Sequence, residues 1–301
     1  MKTRDYIIVG PTASGKSGFA DELARKINGV IINCDSVQIY RGIENISASP
    51  FAGKTEQISD ESLDGVPYKL FSVLDLSVQQ SVSDYLELAR VAYNDAHARG
   101  LSVIFVGGTG YYANALLNGI SSMPDISDES RAHAREMVAR DINAARKMLP
   151  AEFTATDPQR VARALEVFLE TGHHITEFQV QERTGAVLPA DTIKILINPD
   201  ADILRNRIAA RIPEMLNGGA MDEARAIIDN KWNPMRAIGA VQLVDFLNGK
   251  ISRNDAIQNW ITKTNQYAKR QRTWFRGQFN ADIEINHVPT DADIESVIHN
   301  I

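Results

Sequence analysis

The segment Gly10-Pro11-Thr12-Ala13-Ser14-Gly15-Lys16-Ser17 constrains this chain more than any other. Before it runs Tyr6-Ile7-Ile8-Val9, a short apolar stretch of strand type. After it, Phe19, Leu23 and Ile27 recur at helical spacing. Strand, G-x-x-x-x-G-K-S and helix together predict a phosphate-binding P-loop. The glycines let backbone N–H groups converge on an anion, and the helix N-terminus adds its dipole. Lys16 is placed to reach a phosphate oxygen, and Ser17 to hold Mg²⁺. From the composition, the motif is expected by chance about 0.005 times in a chain of this length. The motif fixes a phosphate cradle but leaves the compound and the reaction open.

The 301 residues suffice for one large domain or two smaller ones. Hydrophobic residues at 44% and charged residues at 23% describe a globule with ample core. No apolar run approaches the ~18 residues that would span a bilayer, so no membrane role is expected. The first residues lead straight into a strand and carry no signal-peptide pattern, which gives a cytoplasmic expectation. The single cysteine, Cys34, excludes an intrachain disulfide framework and a cysteine-cluster metal site. A net charge of −6 argues mildly against nucleic-acid binding, a property that can nonetheless be local.

Val30-Ile31-Ile32-Asn33-Cys34 reads as a second buried strand leading into Asp35-Ser36-Val37-Gln38. Ligands of open α/β sheets sit outside the carboxyl ends of the strands. Asp35 therefore falls beside the P-loop, as a magnesium ligand, a base or a helix cap. Residues 43–67 read as polar loop, and Tyr68–Val73 as a short third strand. Ser83 is read as preceding an amphipathic helix that Gly100 closes. Leu101–Val106 is a buried strand running into the glycine turn Gly107-Gly108-Thr109-Gly110, which would bring backbone close to a ligand.

From about Ser121 the pattern becomes helical. Ser127 is expected to cap a helix reaching about Met148, and Asp157-Pro158 to open another that Gly172 stops. Gln159, Arg160 and Arg163 fall off its apolar face, which ordinarily reads as a solvated basic surface. Thr192–Ile197 restores the strand pattern, and Arg207 and Arg211 then share a helix face that could reach a phosphate. These signals predict a P-loop NTPase-like α/β fold: a parallel sheet flanked by helices, with its core in residues 1–119 and 190–301 and a helical insertion at 120–189. Near the end, Lys269, Arg270, Arg272 and Arg276 interleave with Tyr267, Trp274 and Phe275. That mixture suits a surface gripping an RNA backbone and stacking bases, or a basic helix with its aromatics in a core.

These elements, in this order, resemble the tRNA dimethylallyltransferases, also called tRNA isopentenyltransferases. The most specific are Asp35-Ser36-Val37-Gln38-Ile39-Tyr40-Arg41-Gly42 and Lys269-Arg270-Gln271-Arg272-Thr273-Trp274-Phe275-Arg276. Gly107–Tyr112, Asp157–Glu166 and Ala237-Ile238-Gly239 also match. The resemblance implies transfer of a five-carbon group from dimethylallyl diphosphate to N6 of adenosine 37 in the anticodon loop of tRNAs reading U-initial codons. Gly10–Ser17 would then hold a diphosphate leaving group. Lys16, Arg211 and Mg²⁺ held through Ser17 would neutralise its charge, Asp35 would act as base, and Thr109 would help position the amine. Asp35, Ser36, Val37, Gln38 and Thr109 would read the extruded base. Arg131, Gln159, Arg160, Val161, Ala162 and Arg163 would grip the RNA. So would Arg236 and Gly239, with Lys269, Arg270, Arg272, Trp274 and Arg276. One tRNA loop can be held by one chain, so a monomer is expected.

The chain departs from the family at three places. Ser49 stands where the family carries a lysine, implying a lost diphosphate contact. Tyr68 and Lys69 replace two histidines, implying two polar rings fewer near the site. Ala240 replaces a common aromatic, implying weaker stacking on tRNA. A P-loop kinase of a small metabolite or an adenylate isopentenyltransferase would share the cradle but leave the insertion and the basic segment without a purpose. A tRNA-binding protein with a purely structural P-loop would have no use for Lys16 together with Asp35.

Overall fold

The computed structural model describes residues 3–53 and 62–299. Strand β1 (Asp5–Val9) feeds the P-loop, and α1 (Lys16–Ile27) follows it. Next come β2 (Gly29–Asn33), β3 (Ser62–Leu63) and β4 (Val66–Lys69), then α2 (Val82–Ala98), β5 (Ser102–Gly107) and α3 (Gly110–Asn118). The second segment holds β6 (Ile120–Ser121), α4 (Asp128–Arg140), α5 (Ile142–Arg146), α6 (Pro158–Thr171), α7 (Ile175–Gln179) and β7 (Arg183–Thr184). The chain returns with β8 (Ile193–Ile197), α8 (Ala201–Met215), α9 (Met221–Asp229) and α10 (Ala240–Leu247). It ends with α11 (Arg253–Gln278), β9 (Ile283–Ile285) and α12 (Asp291–His299). Two compact units result, residues 1–117 with 187–301 and residues 118–186.

The first unit is built on a seven-stranded sheet of order β3-β4-β2-β5-β1-β8-β9, parallel except for the β3–β4 hairpin. Its inner strands are apolar runs because helices cover both faces, so no polar alternation is needed. Ile7, Ile8, Ile31, Ile32, Ile104 and Phe105 are all sealed from solvent. The P-loop follows β1, Asp35 follows β2, and the glycine turn follows β5. The parallel pairings of β1 with β5 and of β5 with β2 therefore bring all three together at the carboxyl ends of the central strands.

The second unit packs α4, α5 and α6 around Ala134, Val138, Val161 and Leu165. Asp157 caps α6 by accepting from the Arg160 amide at 3.0 Å, with Pro158 at the first helical position and Gly172 closing the helix at φ 74°. Truncating a sealed residue such as Leu165 to alanine costs about 2–5 kcal/mol. No helix among the described residues is long and apolar enough to cross a membrane.

Several local expectations are corrected. The cap of α2 is Ser81, not Ser83: its Oγ accepts from Asp84 N, and the Asp84 carboxylate accepts in turn from Ser81 N at 2.8 Å. The helix expected from 128 to 148 breaks at Asp141, whose side chain accepts from Asn143 N and Ala144 N and restarts the chain as α5. The third strand sits earlier than read, ending before Leu70 at φ 64°. The stretch taken for polar loop buries Ile43, Ile46 and Phe51, and its residues 54–61 lie outside the described residues.

Candidate active site

Ala13 and Gly15 both take positive φ, 64° and 95°, and turn the chain so that α1 starts facing the loop. No side chain caps α1, so its first amides stay available to an anion. Strain at Ala13, a non-glycine residue in the left-handed region, is the kind retained where a loop has a ligand to hold.

Three cations surround this loop, and all bond neutral oxygens. Lys16 Nζ donates to Pro11 O at 3.2 Å, Arg207 Nε to Ala13 O at 2.8 Å, and Arg211 Nη2 to Thr12 Oγ1 at 2.8 Å. Arg211 Nε and the sealed Ser14 Oγ have no partner at all. A buried polar atom left unpaired costs about 1–3 kcal/mol, which an arriving oxyanion would relieve. Burial pushes the Lys16 ammonium down to about 8, with Asp35 opposing that shift and Arg211 reinforcing it. Burial and Arg207 likewise lower Arg211.

At the end of β2, Asp35 Oδ1 accepts from Val37 N at 2.9 Å, a local turn that fixes the carboxylate. Thr109 Oγ1 accepts from Ser36 N at 2.9 Å and donates to Ser36 Oγ at 3.2 Å, so its hydroxyl pins the Asp35 turn from β5. Gln271 on α11 joins the two loops: it accepts from Thr12 N at 2.9 Å and donates to Gly108 O at 2.8 Å. A Cβ at Gly108 would overlap that amide, and one at Gly110 would overlap the Trp274 ring. The glycine turn therefore makes room for α11, and the expectation that it approaches a ligand directly is corrected.

The P-loop, the 35–38 turn and the cations line one cavity of about 490 Å³. Its other walls come from Ile46, Ser47 and Ala48, from Ile212 and Met215, and from Ile238 and Trp260. Thr264 and Tyr267 of α11 and Arg236 also face it. Ser17 is exposed at its phosphate end. Among the described residues no cluster of three histidine, cysteine or acidic side chains could hold a metal alone. A hydroxyl, one carboxylate, phosphate oxygens and water do suit Mg²⁺, which keeps several waters and needs no all-protein cage.

The expected RNA-binding residues divide. Gln38 lines the cavity, but its Nε2 donates to Ser47 O and Ala48 O at 3.1 and 3.0 Å, which ties it to the wall. Arg236 bonds Val78 O and lies 5.1 Å over the Tyr40 ring. Gly239, at φ 100°, packs against the Trp260 indole. Lys269, Arg270 and Arg276 are exposed on α11, whereas Arg272 donates to the buried Asn198 at 2.9 Å. Of the three interleaved aromatics Phe275 is sealed in the core, while Tyr267 and Trp274 are half-buried. Trp274 packs over Gly110 and edge-on to Phe275 at 5.3 Å, and Tyr267 lines the cavity. Burial, then Asp35, raises the Tyr267 phenol, which stays protonated.

In the helical unit Gln159 is exposed, and Arg131, Arg160 and Arg163 sit near the surface beside Asp128, Asp157 and Glu166. Val161 is sealed in the core of that unit, whereas Ala162, though mostly buried, lines a groove there with Gln159 and Arg163. The three family departures also look different in place. Ser49 is buried, with its Oγ accepting from Phe51 N at 3.3 Å. Tyr68 packs with Phe51 and Phe71 and donates to Asp21 at 2.8 Å, away from the cavity lining. Ala240 is buried at the first position of α10, where it cannot stack on RNA.

Sequence reasoning gave no role to Trp260 or Thr264, and it took Gln271 only as part of the basic segment expected to grip RNA, not as the bridge between the two loops. Their 4-3-4 spacing with Tyr267 is one helical stripe, and it was available as a signal.

A family model described as IPP transferase matches residues 38–278, and one described as isopentenyl transferase matches residues 3–66. A tRNA dimethylallyltransferase of Agrobacterium fabrum is 36% identical over 293 residues, 92% of this chain and 94% of that one. The tRNA dimethylallyltransferase of Sphingopyxis alaskensis is 38% identical over 284 residues, 90% of this chain and 89% of its own. The crystal structure of the full-length tRNA isopentenylpyrophosphate transferase of Bacillus halodurans aligns with TM-score 0.67 at 31% identity, covering 99% of this chain and 95% of that one. A eukaryotic dimethylallyltransferase captured acting on tRNA aligns with TM-score 0.75 at 25% identity, covering 99% of this chain and 80% of that one. The P-loop cavity thus sits in a fold shared along nearly the whole sequence, and the chain belongs to the IPP transferase family.

Proposed function

We propose that this chain is a tRNA dimethylallyltransferase: it moves the dimethylallyl group of dimethylallyl diphosphate to N6 of adenosine 37 in tRNAs that read U-initial codons, releasing diphosphate. One observation carries the reading. A single cavity joins a P-loop with Lys16, Arg207 and Arg211 to the carboxylate of Asp35.

The diphosphate binds the amides at the start of α1, and Lys16, Arg207 and Arg211 surround it. As the allylic C–O bond breaks, its electron pair goes to the diphosphate. Cations already fixed by hydrogen bonds to Pro11, Ala13 and Thr12 stabilise that charge without reorganising. The adenine amine forms the new C–N bond and gives its proton to Asp35, whose orientation the Val37 amide holds. Thr109 holds the same turn through Ser36. Ser17 would hold Mg²⁺ together with phosphate oxygens and water, and the ion would add charge stabilisation on the leaving group. The adenine reaches the cavity only when turned out of its loop. Exposed cations of α11, Lys269, Arg270 and Arg276, would meet RNA phosphates, as would Arg131, Arg160 and Arg163 of the helical unit. One chain suffices to hold one tRNA loop, which favours a monomer, and a tRNA substrate supports a cytoplasmic setting.

The test is incubation with unmodified tRNA and dimethylallyl diphosphate, read by mass as one five-carbon addition at adenosine 37. Asp35→Ala should lower transfer about 10²–10⁴-fold and leave tRNA binding intact. Normal turnover by that variant would remove Asp35 from the mechanism.

A further inference from the structure

The wall formed by Ile46, Ser47 and Ala48 belongs to neither a helix nor a strand. Its own backbone bonds are local turns, Ser47 N to Ile43 O at 2.8 Å and Ala48 N to Asn45 O at 3.1 Å. A carboxylate from the far end of the sequence holds it. Glu223 on α9 accepts from Asn45 N at 2.7 Å, from Asn45 Nδ2 at 2.8 Å and from Ile46 N at 2.8 Å. Hydrogen bonds to an ionised acceptor are about twice as strong as neutral ones.

The approach of Glu223 depends on the backbone just before it. The last turn of α8 runs into a wide π-type turn at Leu216–Ala220, with Gly219 at φ 118°. A Cβ on Gly218 would lie 2.6 Å from Asn45 Oδ1, so an alanine there would push the Asn45 side chain from its place. Gln38 braces the same wall at the Ser47 and Ala48 carbonyls.

The wall carries no cation. It presents the apolar side chains of Ile46 and Ala48 to a cavity that Ile212, Met215, Ile238 and Trp260 also line. Such a wall can recognise only the part of a ligand beyond its phosphates. We infer that Glu223 is a positioning residue for recognition of the donor's hydrocarbon: through Asn45 and Ile46 it holds the apolar wall against which an allyl group packs. The inference rests on the donor reading above. Replacing the carboxylate with an amide turns one acceptor oxygen into a donor and sets it either against the two Asn45 N–H groups or, with the amide turned over, against that of Ile46. The wall is then released while the P-loop is untouched.

The experiment measures binding of inorganic pyrophosphate and of dimethylallyl diphosphate to the full chain, by calorimetry well below its melting temperature. Wild type should prefer dimethylallyl diphosphate. Glu223→Gln should hold pyrophosphate within about twofold and cut the preference for the allylic ligand about tenfold, the size expected for lost hydrogen bonds to a charged group. Gly218→Ala, which displaces Asn45 from the other side, should do the same and serves alone if Glu223→Gln fails to fold. A preference kept in full by the folded variants overturns the role of Glu223. A wild type that binds pyrophosphate but shows no preference removes the donor reading, and the wall's role with it.

Discussion

The surface of the helical unit and the P-loop of the first unit use their cations in opposite ways. In the helical unit four arginines on α4 and α6 have acidic partners: Arg160 with Asp157 at 3.4 Å, Arg131 with Asp128 at 3.9 Å, and Arg163 and Arg135 with the buried Glu166 at 3.2 and 3.7 Å. At the P-loop, Lys16, Arg207 and Arg211 bond only neutral oxygens, and one guanidinium nitrogen has none. A paired surface arginine exchanges one anion for another at little net gain, since exposed pairs are worth about 0–1 kcal/mol. Cations held by neutral dipoles against low-dielectric walls keep their full charge for a ligand. The cavity is therefore built for a few strong contacts and the helical surface for many weak ones.

That contrast can be broken most severely at Lys16. Lys16→Ala should reduce transfer by about 10²–10³-fold or more, as removal of a pre-set charge stabiliser does, with tRNA affinity nearly unchanged. A comparable loss of tRNA affinity, read by filter binding, would show that the cradle also serves the RNA and that the contrast is wrong.

A pH series sharpens it. An ordinary lysine keeps its charge up to about pH 10, but burial brings Lys16 down to about 8. The positive form is present below that value and is lost as pH rises through it. Dimethylallyl diphosphate is already fully ionised there, so its affinity should fall as pH rises, by up to about tenfold per unit above 8. In Lys16→Ala that dependence should flatten. A wild-type profile that stays flat to pH 9.5 would place no titrating lysine at the diphosphate.

The smallest effect is expected on the helical surface. Arg160→Ala should change stability by less than about 0.5 kcal/mol. It should weaken tRNA binding only a few-fold and lower the salt slope by about 1. A loss as steep as that of Lys16→Ala would mean that the Arg160–Asp157 pair opens into a site of its own.

Much of the cavity was legible because it is encoded locally. A strand, a glycine loop and a helix in continuous sequence leave few options for where the amides of Gly15 and Lys16 point. An acidic residue after the second strand must fall near them once the two strands share a parallel sheet. Asp157-Pro158 opened its helix for the same reason: both devices act within one turn. Errors came where the competing choices are local and nearly equal. Ser81 and Ser83 are both adequate caps, and what separates them is that only Ser81 has an acid three residues on to return the hydrogen bond. Asp141 could have continued a helix, but its side chain captured two amides and ended it.

The amino-acid sequence by itself determined the phosphate cradle, the placement of Asp35 and the parallel sheet beneath them, since these follow from short-range pattern. Only the tertiary structure decided which residues complete the cavity. Gln271 bridges Thr12 and Gly108 from more than 160 positions away, and Glu223 holds Asn45 from 178 away. It also decided that Tyr267 and Trp274 turn inward while Lys269, Arg270 and Arg276 of the same basic segment stay exposed. Composition marks a stretch of helix as basic and aromatic, but its orientation is set by the Thr12 amide and Gly108 carbonyl that Gln271 pairs and by the room that Gly110 leaves for Trp274.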